Sequence, residues 1–250
     1  MLASLAIPLL AAAALSLDRR AFMQTMLGRP LVTGAVVGAC LSEPAAGLAL
    51  GLWTELLWLW RLTSGGYYTP NTPLALSAVL IALFGAGAPG PADWQARAVM
   101  GFAMVPCLAH ALIRVDVLLR RTAGERSRRL RETFIGLEAE EGGLDRARAL
   151  APRAFRRAAL AGVPETFLAS VAALAVMIPL VRLAATAAVA GAPDAFWAPV
   201  AAFAPYAPAA GLLGIASSLS RHYMAPYLLG ALAAILGLVL YRALGGGALP

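Results

Sequence analysis

The chain has no lysine, few charges and only two cysteines. Charged residues make up 13% of its 250 residues, whereas an ordinary soluble domain has about a quarter. Intrinsic disorder is excluded, because a disordered chain combines low hydrophobicity with high net charge. Both cysteines, Cys40 and Cys107, lie inside apolar runs. A thiol in such a place is usually inert packing, so we expect neither a disulfide scaffold nor a metal site.

Long apolar runs make up most of the sequence. Hydrophobic residues account for 60% of the chain, and the mean hydropathy is +0.75. At about 20 apolar residues per crossing, the chain has room for about six to eight membrane segments. We therefore expect an all-α, polytopic protein that forms a single membrane domain over residues 1–250. The apolar run of residues 1–17 comes before the positive charges of Arg19 and Arg20. A signal peptide has its positive charges before the apolar run, so this order favours a retained first helix.

Residues 30–60 form an apolar segment that is broken in the middle. Ser42, Glu43 and Pro44 interrupt it, and glycines are frequent on both sides of the break. Each half has about 12 residues and is too short to cross a bilayer alone. Two short halves predict a re-entrant hairpin, whose backbone at membrane depth must be covered by protein or by a cavity.

The positive charges are concentrated in one region. All 20 basic residues are arginine, and 12 of them lie between Arg114 and Arg157, together with 7 of the 13 acidic residues. Charge confined between apolar segments indicates a cytoplasmic loop under the positive-inside rule. Apolar residues at helical spacing predict that residues 114–160 form an amphipathic cytoplasmic arm or an interfacial helix. Nucleic acid is not an expected partner, because no stacking aromatic residues are interleaved with the arginines.

Glu55 is the strongest candidate for a functional residue. An ionised carboxylate in an apolar run costs several kcal/mol unless a partner or a hydrated cavity receives it, and such acids often mark substrate pathways. The alternative is an interfacial glutamate tied to Arg61 or to a helix N-terminus. Residues 63–71 add hydroxyls, a carboxamide, two tyrosines and paired glycines. This composition fits a sugar site and fits an exposed aromatic loop equally well.

The sequence holds no recognisable catalytic constellation. It has no phosphate-binding glycine loop, no Cys/His metal spacing and no Ser/His/Asp arrangement. We therefore predict no catalytic residue, no bound metal and no cofactor.

Residues 28–71 resemble the membrane subunit IIC of the mannose–fructose–sorbose family of the bacterial sugar phosphotransferase system. A second segment, residues 221–230, resembles the start of the last helices of that family, and the order of apolar segments agrees over the whole length. The matching residues of the first segment fall at family-like spacing: Arg29-Pro30-Leu31, Ser42-Glu43, Gly47, Gly51, Glu55, Gly65 and Pro70-Asn71.

The resemblance implies a multi-pass subunit of the bacterial inner membrane that carries a hexose across the bilayer. Its implied partners are a IID membrane subunit, in a homo-oligomer of IIC–IID pairs, and cytoplasmic IIA and IIB proteins that carry out the phosphoryl transfer. In the family a core of hairpins moves against a scaffold as an elevator. Thr63 and Asn71 stand where the family usually has Asn and Asp. The implied substrate-binding residues are Glu55, Thr63, Gly66, Tyr67 and Asn71.

The sequence is also compatible with two other functions. The chain could be a degenerate homologue that acts as a regulatory or scaffold partner of phosphotransfer proteins and binds them through the arm without moving sugar. It could also be a general membrane-embedded assembly or secretion component, which needs no sugar site.

Overall fold

The computed structural model describes residues 2–18, 26–58, 70–91, 93–138 and 143–209, and all regular elements in these residues are helical. The expected all-α class is confirmed. A short 3₁₀ helix, Ala204–Tyr206, follows the last α-helix of the described part. The α-helices are α1 (Leu2–Leu17), α2 (Pro30–Cys40), α3 (Pro44–Trp58), α4 (Thr72–Phe84), α5 (Trp94–Ala111), α6 (Ile113–Glu138), α7 (Gly143–Gly191) and α8 (Asp194–Ala201).

Helix α4 lies at the centre of the bundle, and all of its residues are buried. It packs against α1, α2, α3, α5 and α7. An apolar sequence on every side of the helix explains this position, because no face of α4 prefers water. Its buried Ser77 hydroxyl donates to the carbonyl of Pro73 at 2.8 Å. At 1.5 Å per residue, the 13 residues of α4 span about 20 Å, which is less than the roughly 30 Å hydrocarbon core of a bilayer.

Helices α2 and α3 form a closely packed hairpin. The break between them includes Ser42, whose φ is +62°, and the N–H of Glu43 donates to the carbonyl of Gly38 at 2.8 Å. Glycines allow the two backbones to touch: a Cβ built on Gly38 would lie 2.7 Å from the Cα of Gly47, and one on Gly51 would lie 2.9 Å from the carbonyl oxygen of Pro30. The structure thus divides this segment where the sequence predicts a break. Its re-entry into a membrane stays a prediction.

The arginine-rich arm of residues 114–160 consists of most of α6 and the first part of α7. The two helices pack against each other, and Arg126 of α6 forms an ion pair with Glu165 of α7. The apolar segment after the arm is not a separate helix, because α7 continues without interruption from Gly143 to Gly191. Pro164 lies inside α7 without ending it.

The bundle has two distinct ends. At the end that carries the arm, the carboxylate of Asp18 after α1 accepts the N–H of Gly28 before α2 at 3.0 Å. The hydroxyls of Ser16 in α1 and Ser170 in α7 lie 2.7 Å apart at this same end. At the opposite end, the side chain of Leu5 in α1 lies beside Gly85, which follows α4. We refer to these as the arm end and the far end.

Two helical stretches, Trp94–Gly136 and Leu160–Gly191, are long and apolar enough to cross a membrane. In the second, Leu168, Val176 and Leu183 are more than half exposed, as expected for side chains that face lipid. The other apolar helices of the described residues are shorter. Two candidate spans are consistent with a membrane location, whereas the number of crossings stays a prediction.

Candidate functional site

Glu55 lies near the C-terminus of α3 and connects the two helices of the hairpin at the arm end. Its Oε1 accepts a charged hydrogen bond from Arg29 at 3.1 Å, and its Oε2 accepts the backbone N–H of Leu31 at 3.3 Å. Leu31 is the second residue of α2, where the backbone N–H has no partner within the helix. The Glu55 carboxylate therefore caps α2, where the positive end of the helix dipole also favours a negative charge. Arg61, the other expected partner, lies outside the described residues.

The Glu55 ion pair is asymmetric in its exposure to solvent. The side chain of Arg29 is 48% exposed, and that of Glu55 is 14% exposed. A glutamate held by one half-exposed arginine and one backbone amide has remaining acceptor capacity, because a carboxylate offers about four lone-pair positions. The hydroxyl of the preceding residue, Thr54, is fully buried and has no hydrogen-bond partner among the described residues, and the same holds for Thr33 of α2.

Asn71 begins the central helix and is buried, with 6% of its surface exposed. Its side-chain oxygen accepts the N–H of Leu74 at 3.4 Å, which makes Asn71 the N-cap of α4. Its side-chain NH₂ donates to Asp116 at 3.0 Å, and its backbone N–H donates to the carbonyl of Ala109 at 3.3 Å. Asn71 thus ties the start of α4 to the junction of α5 and α6. These hydrogen bonds cap α4 and fix its N-terminus against α5 and α6, so Asn71 acts as a structural clamp.

Asp116 is a buried carboxylate that the sequence analysis did not single out. It is 3% exposed, lies in the first turn of α6 and accepts the bond from Asn71. A signal was available, because Asp116 is the single acid in the apolar run from Leu112 to Leu119. An acid in such a run is expected to have a specific partner.

Three of the five predicted substrate-binding residues, Thr63, Gly66 and Tyr67, lie outside the described residues, as does the second segment of the family resemblance, 221–230. The two that are described, Glu55 and Asn71, both lie at the arm end, at the C-terminus of α3 and the N-terminus of α4. These two helix ends flank residues 59–69 along the chain. The Glu55 carboxylate can accept hydrogen bonds from sugar hydroxyls, whereas a carboxamide such as that of Asn71 can both donate and accept.

At the far end, two arginines that the sequence analysis did not single out hold the chain after α4. Arg97 donates to the carbonyls of Pro91 and Leu83. Arg182 donates to the carbonyl of Ala86 at 3.3 Å. Both cations therefore satisfy carbonyls near the C-terminus of α4, where the helix dipole favours positive charge. This arrangement explains their presence without a ligand.

Comparison of the chain with models of known protein families, with curated proteins and with solved structures finds no match.

Proposed function

We propose that the chain is a sugar-translocating membrane subunit of the IIC type, which moves a hexose across the bacterial inner membrane together with a IID subunit. The observation that carries this proposal is the α2–α3 hairpin. It consists of two helices too short to cross a bilayer, and the carboxylate of Glu55, near the C-terminus of α3, lies against the N-terminus of α2. Short paired helices with an ionisable residue at their end are typical of substrate sites in transporters. The resemblance of residues 28–71 to the IIC family supports the same conclusion.

Glu55 is the proposed sugar ligand. Arg29 and the N–H of Leu31 occupy part of its acceptor capacity, and sugar hydroxyls would use the rest or replace the half-exposed arginine. Hydrogen bonds to a charged acceptor are roughly twice as strong as those between neutral groups, so a carboxylate is a suitable anchor for adjacent hydroxyls. Thr63, Gly66, Tyr67 and Asn71 complete the proposed site.

The hairpin is suited to move as one body during translocation. Its helices meet backbone to backbone at Gly38, Gly47 and Gly51, so neither helix can shift without its partner. Interfaces that are closely packed change by discrete steps rather than by gradual deformation. This rigidity supports the proposed elevator motion of hairpin against scaffold.

The proposed membrane organisation has six to eight spanning or re-entrant segments, with the arm in the cytoplasm. Twelve arginines within residues 114–160 would resist translocation across the membrane. The short helix α2, whose Leu31 and Val36 are partly exposed, depends on neighbouring protein to cover it at membrane depth, and a IID subunit together with further IIC–IID pairs would supply such cover. Cytoplasmic IIA and IIB proteins remain the proposed source of the phosphoryl group.

A second candidate is a scaffold or regulatory partner of phosphotransfer proteins that does not transport. Asn71 favours it, because its amide already donates to Asp116 and accepts from Leu74. Glu55 likewise has two protein partners. Two site residues that are satisfied by the protein itself need no sugar to explain their burial.

Calorimetric titration of a hexose panel into the purified IIC–IID pair separates the two candidates. We expect the wild type to bind one hexose and Glu55→Gln to weaken that binding at least about tenfold, because a charge-assisted hydrogen bond contributes about 1.5–3 kcal/mol. Arg29→Gln is the matched control, since it breaks the same ion pair but leaves the carboxylate in place. Its effect on sugar affinity should be several-fold smaller.

Equal losses of affinity in Glu55→Gln and Arg29→Gln would show that the ion pair is structural and that the sugar site lies elsewhere. Absence of hexose binding in a folded wild-type pair would favour the scaffold function.

A further inference from the structure

The arm contains an open groove between α6 and the first part of α7. It encloses about 460 Å³, and an adjoining hollow of about 250 Å³ shares four of its lining residues and adds Phe134, Leu150 and Arg153. Leu130 and Ala154 form its partly buried apolar floor. The residues that line the larger hollow are Arg126, Arg129, Leu130, Thr133, Ala154 and Arg157.

The rim of the groove is positively charged and largely unpaired. Arg126 forms an ion pair with Glu165 and donates to the carbonyl of Thr122. In contrast, no carboxylate of the described residues forms an ion pair with Arg129, Arg153 or Arg157, and all three side chains are exposed. No acidic residue in the described part of the chain lines either hollow. The groove is therefore complementary to a negatively charged partner with an apolar face.

The height of the groove above the membrane favours a water-soluble partner over lipid headgroups. This step depends on the proposed membrane placement of α5 and α7 but not on sugar transport. Residues 126–134 lie 7–15 positions beyond Leu119, the last residue of the apolar run in α6. At 1.5 Å per residue this is about 10–22 Å. The headgroup layer is only about 5–8 Å thick on each side of the bilayer, so most of the groove lies outside it.

The C-terminal segment of the chain is not a suitable occupant, because residues 210–250 contain no aspartate or glutamate. Four acidic residues lie between positions 138 and 145 of the sequence. A second copy of the chain is therefore the alternative occupant that the experiment below tests.

We propose that the groove binds an amphipathic α-helix with glutamate or aspartate along its flanks, carried by a water-soluble protein. A third helix packs naturally into the valley between two helices. Its apolar stripe would cover Leu130 and Ala154, and its acids would pair with Arg129, Arg153 and Arg157. This arrangement is the helix-in-groove mode of recognition, with charge fixing the orientation of the partner.

The test uses the full chain in nanodiscs of neutral phosphatidylcholine. The probe is a fluorescent helical peptide of about 18 residues (five turns) with a leucine stripe and glutamate flanks, and its binding is followed by fluorescence anisotropy. We expect the wild type to bind this peptide and not a version with lysine flanks. The double variant Arg129→Glu, Arg153→Glu should weaken binding at least about tenfold.

A matched double variant controls for the change in net charge. Arg128 and Arg131 lie on the same helix but do not line the groove, and Arg128 already pairs with Glu132 at 3.5 Å. Arg128→Glu together with Arg131→Glu should change the affinity less than about threefold, because exposed charges away from the contact are screened by salt. Equal losses in the two double variants, or no binding to the wild type, would overturn the proposal.

Two further outcomes would assign the groove to another occupant. Loss of peptide binding in nanodiscs that contain phosphatidylglycerol would show that anionic lipid fills the groove. A dimer of the wild type that dissociates in Arg129→Glu, Arg153→Glu but not in the control would show that a second copy fills it. Either result would overturn the assignment to a water-soluble partner.

Discussion

Within the described residues, the α2–α3 hairpin and the α6–α7 arm use opposite means to pair their helices. In the α2–α3 hairpin, glycines bring backbone against backbone, and nothing fits between the helices. In the arm, arginines and leucines line an open groove between α6 and α7. Residue size at the interface therefore decides whether a hairpin is a closed structural unit or a surface for another molecule. Substitutions should therefore have very different effects in the two places.

The largest effect is expected from Gly47→Leu in the α2–α3 hairpin. A Cβ built on Gly47 would lie 2.7 Å from the Cα of Gly38, and backbone atoms cannot move aside as a flexible side chain can. Overpacking of this kind costs about 3 kcal/mol or more. We expect loss of the monodisperse peak in size-exclusion chromatography and a large fall in Tm.

Gly136→Leu in the arm is the matched control, because a Cβ at Gly136 meets nothing within 4 Å. We expect its Tm to stay at or above that of the wild type, since leucine is a better helix former than glycine. Comparable falls in Tm for both substitutions would contradict the contrast between closed and open hairpins.

The next largest effect concerns the clamp at the start of α4. Asn71→Asp would place two carboxylates about 3.0 Å apart, since the present amide lies at that distance from Asp116, and like charges at such a distance cannot both stay ionised. We expect a loss of about 1–3 kcal/mol in the free energy of unfolding. From sequence alone, Asn71→Asp is expected to be tolerated or to alter sugar preference, because the two side chains are nearly isosteric. The contact with the buried Asp116 leads to the opposite expectation for stability.

A double variant sharpens this prediction. Asn71→Asp combined with Asp116→Asn restores one amide and one carboxylate, so it should recover part of the lost stability in a thermal unfolding assay. A double variant no more stable than Asn71→Asp would show that the charge contact is not the cause.

The smallest effect is expected on the exposed surface of the arm. Arg128 and Glu132 form an i,i+4 pair with side chains 70% and 60% exposed. Such pairs contribute about 0.3–0.5 kcal/mol, so Arg128→Ala should shift the Tm only slightly. A shift as large as that of Asn71→Asp would mean that the outer face of α6 is covered by protein.

The helical class and the interruption near Ser42 are predictable from the sequence, because apolar runs and the residues that break them are local patterns. The pairing of Glu55 with Arg29, and of Asn71 with Asp116, joins residues far apart in the chain. No local pattern specifies these contacts. The continuity of α7 through Pro164 was likewise not apparent, since a proline signals only a probable helix boundary.

Hexose uptake tests the central proposal most directly. Cells that lack their own uptake of the sugar would express the IID subunit with the wild-type chain, with Glu55→Gln or with Arg29→Gln, and radiolabelled hexose would be followed with time. We expect uptake with the wild type, a loss of at least about tenfold with Glu55→Gln, a smaller loss with Arg29→Gln, and equal amounts of all three proteins in the membrane. A wild-type chain that accumulates in the membrane with its IID partner and yet supports no uptake of any hexose would contradict the transport function.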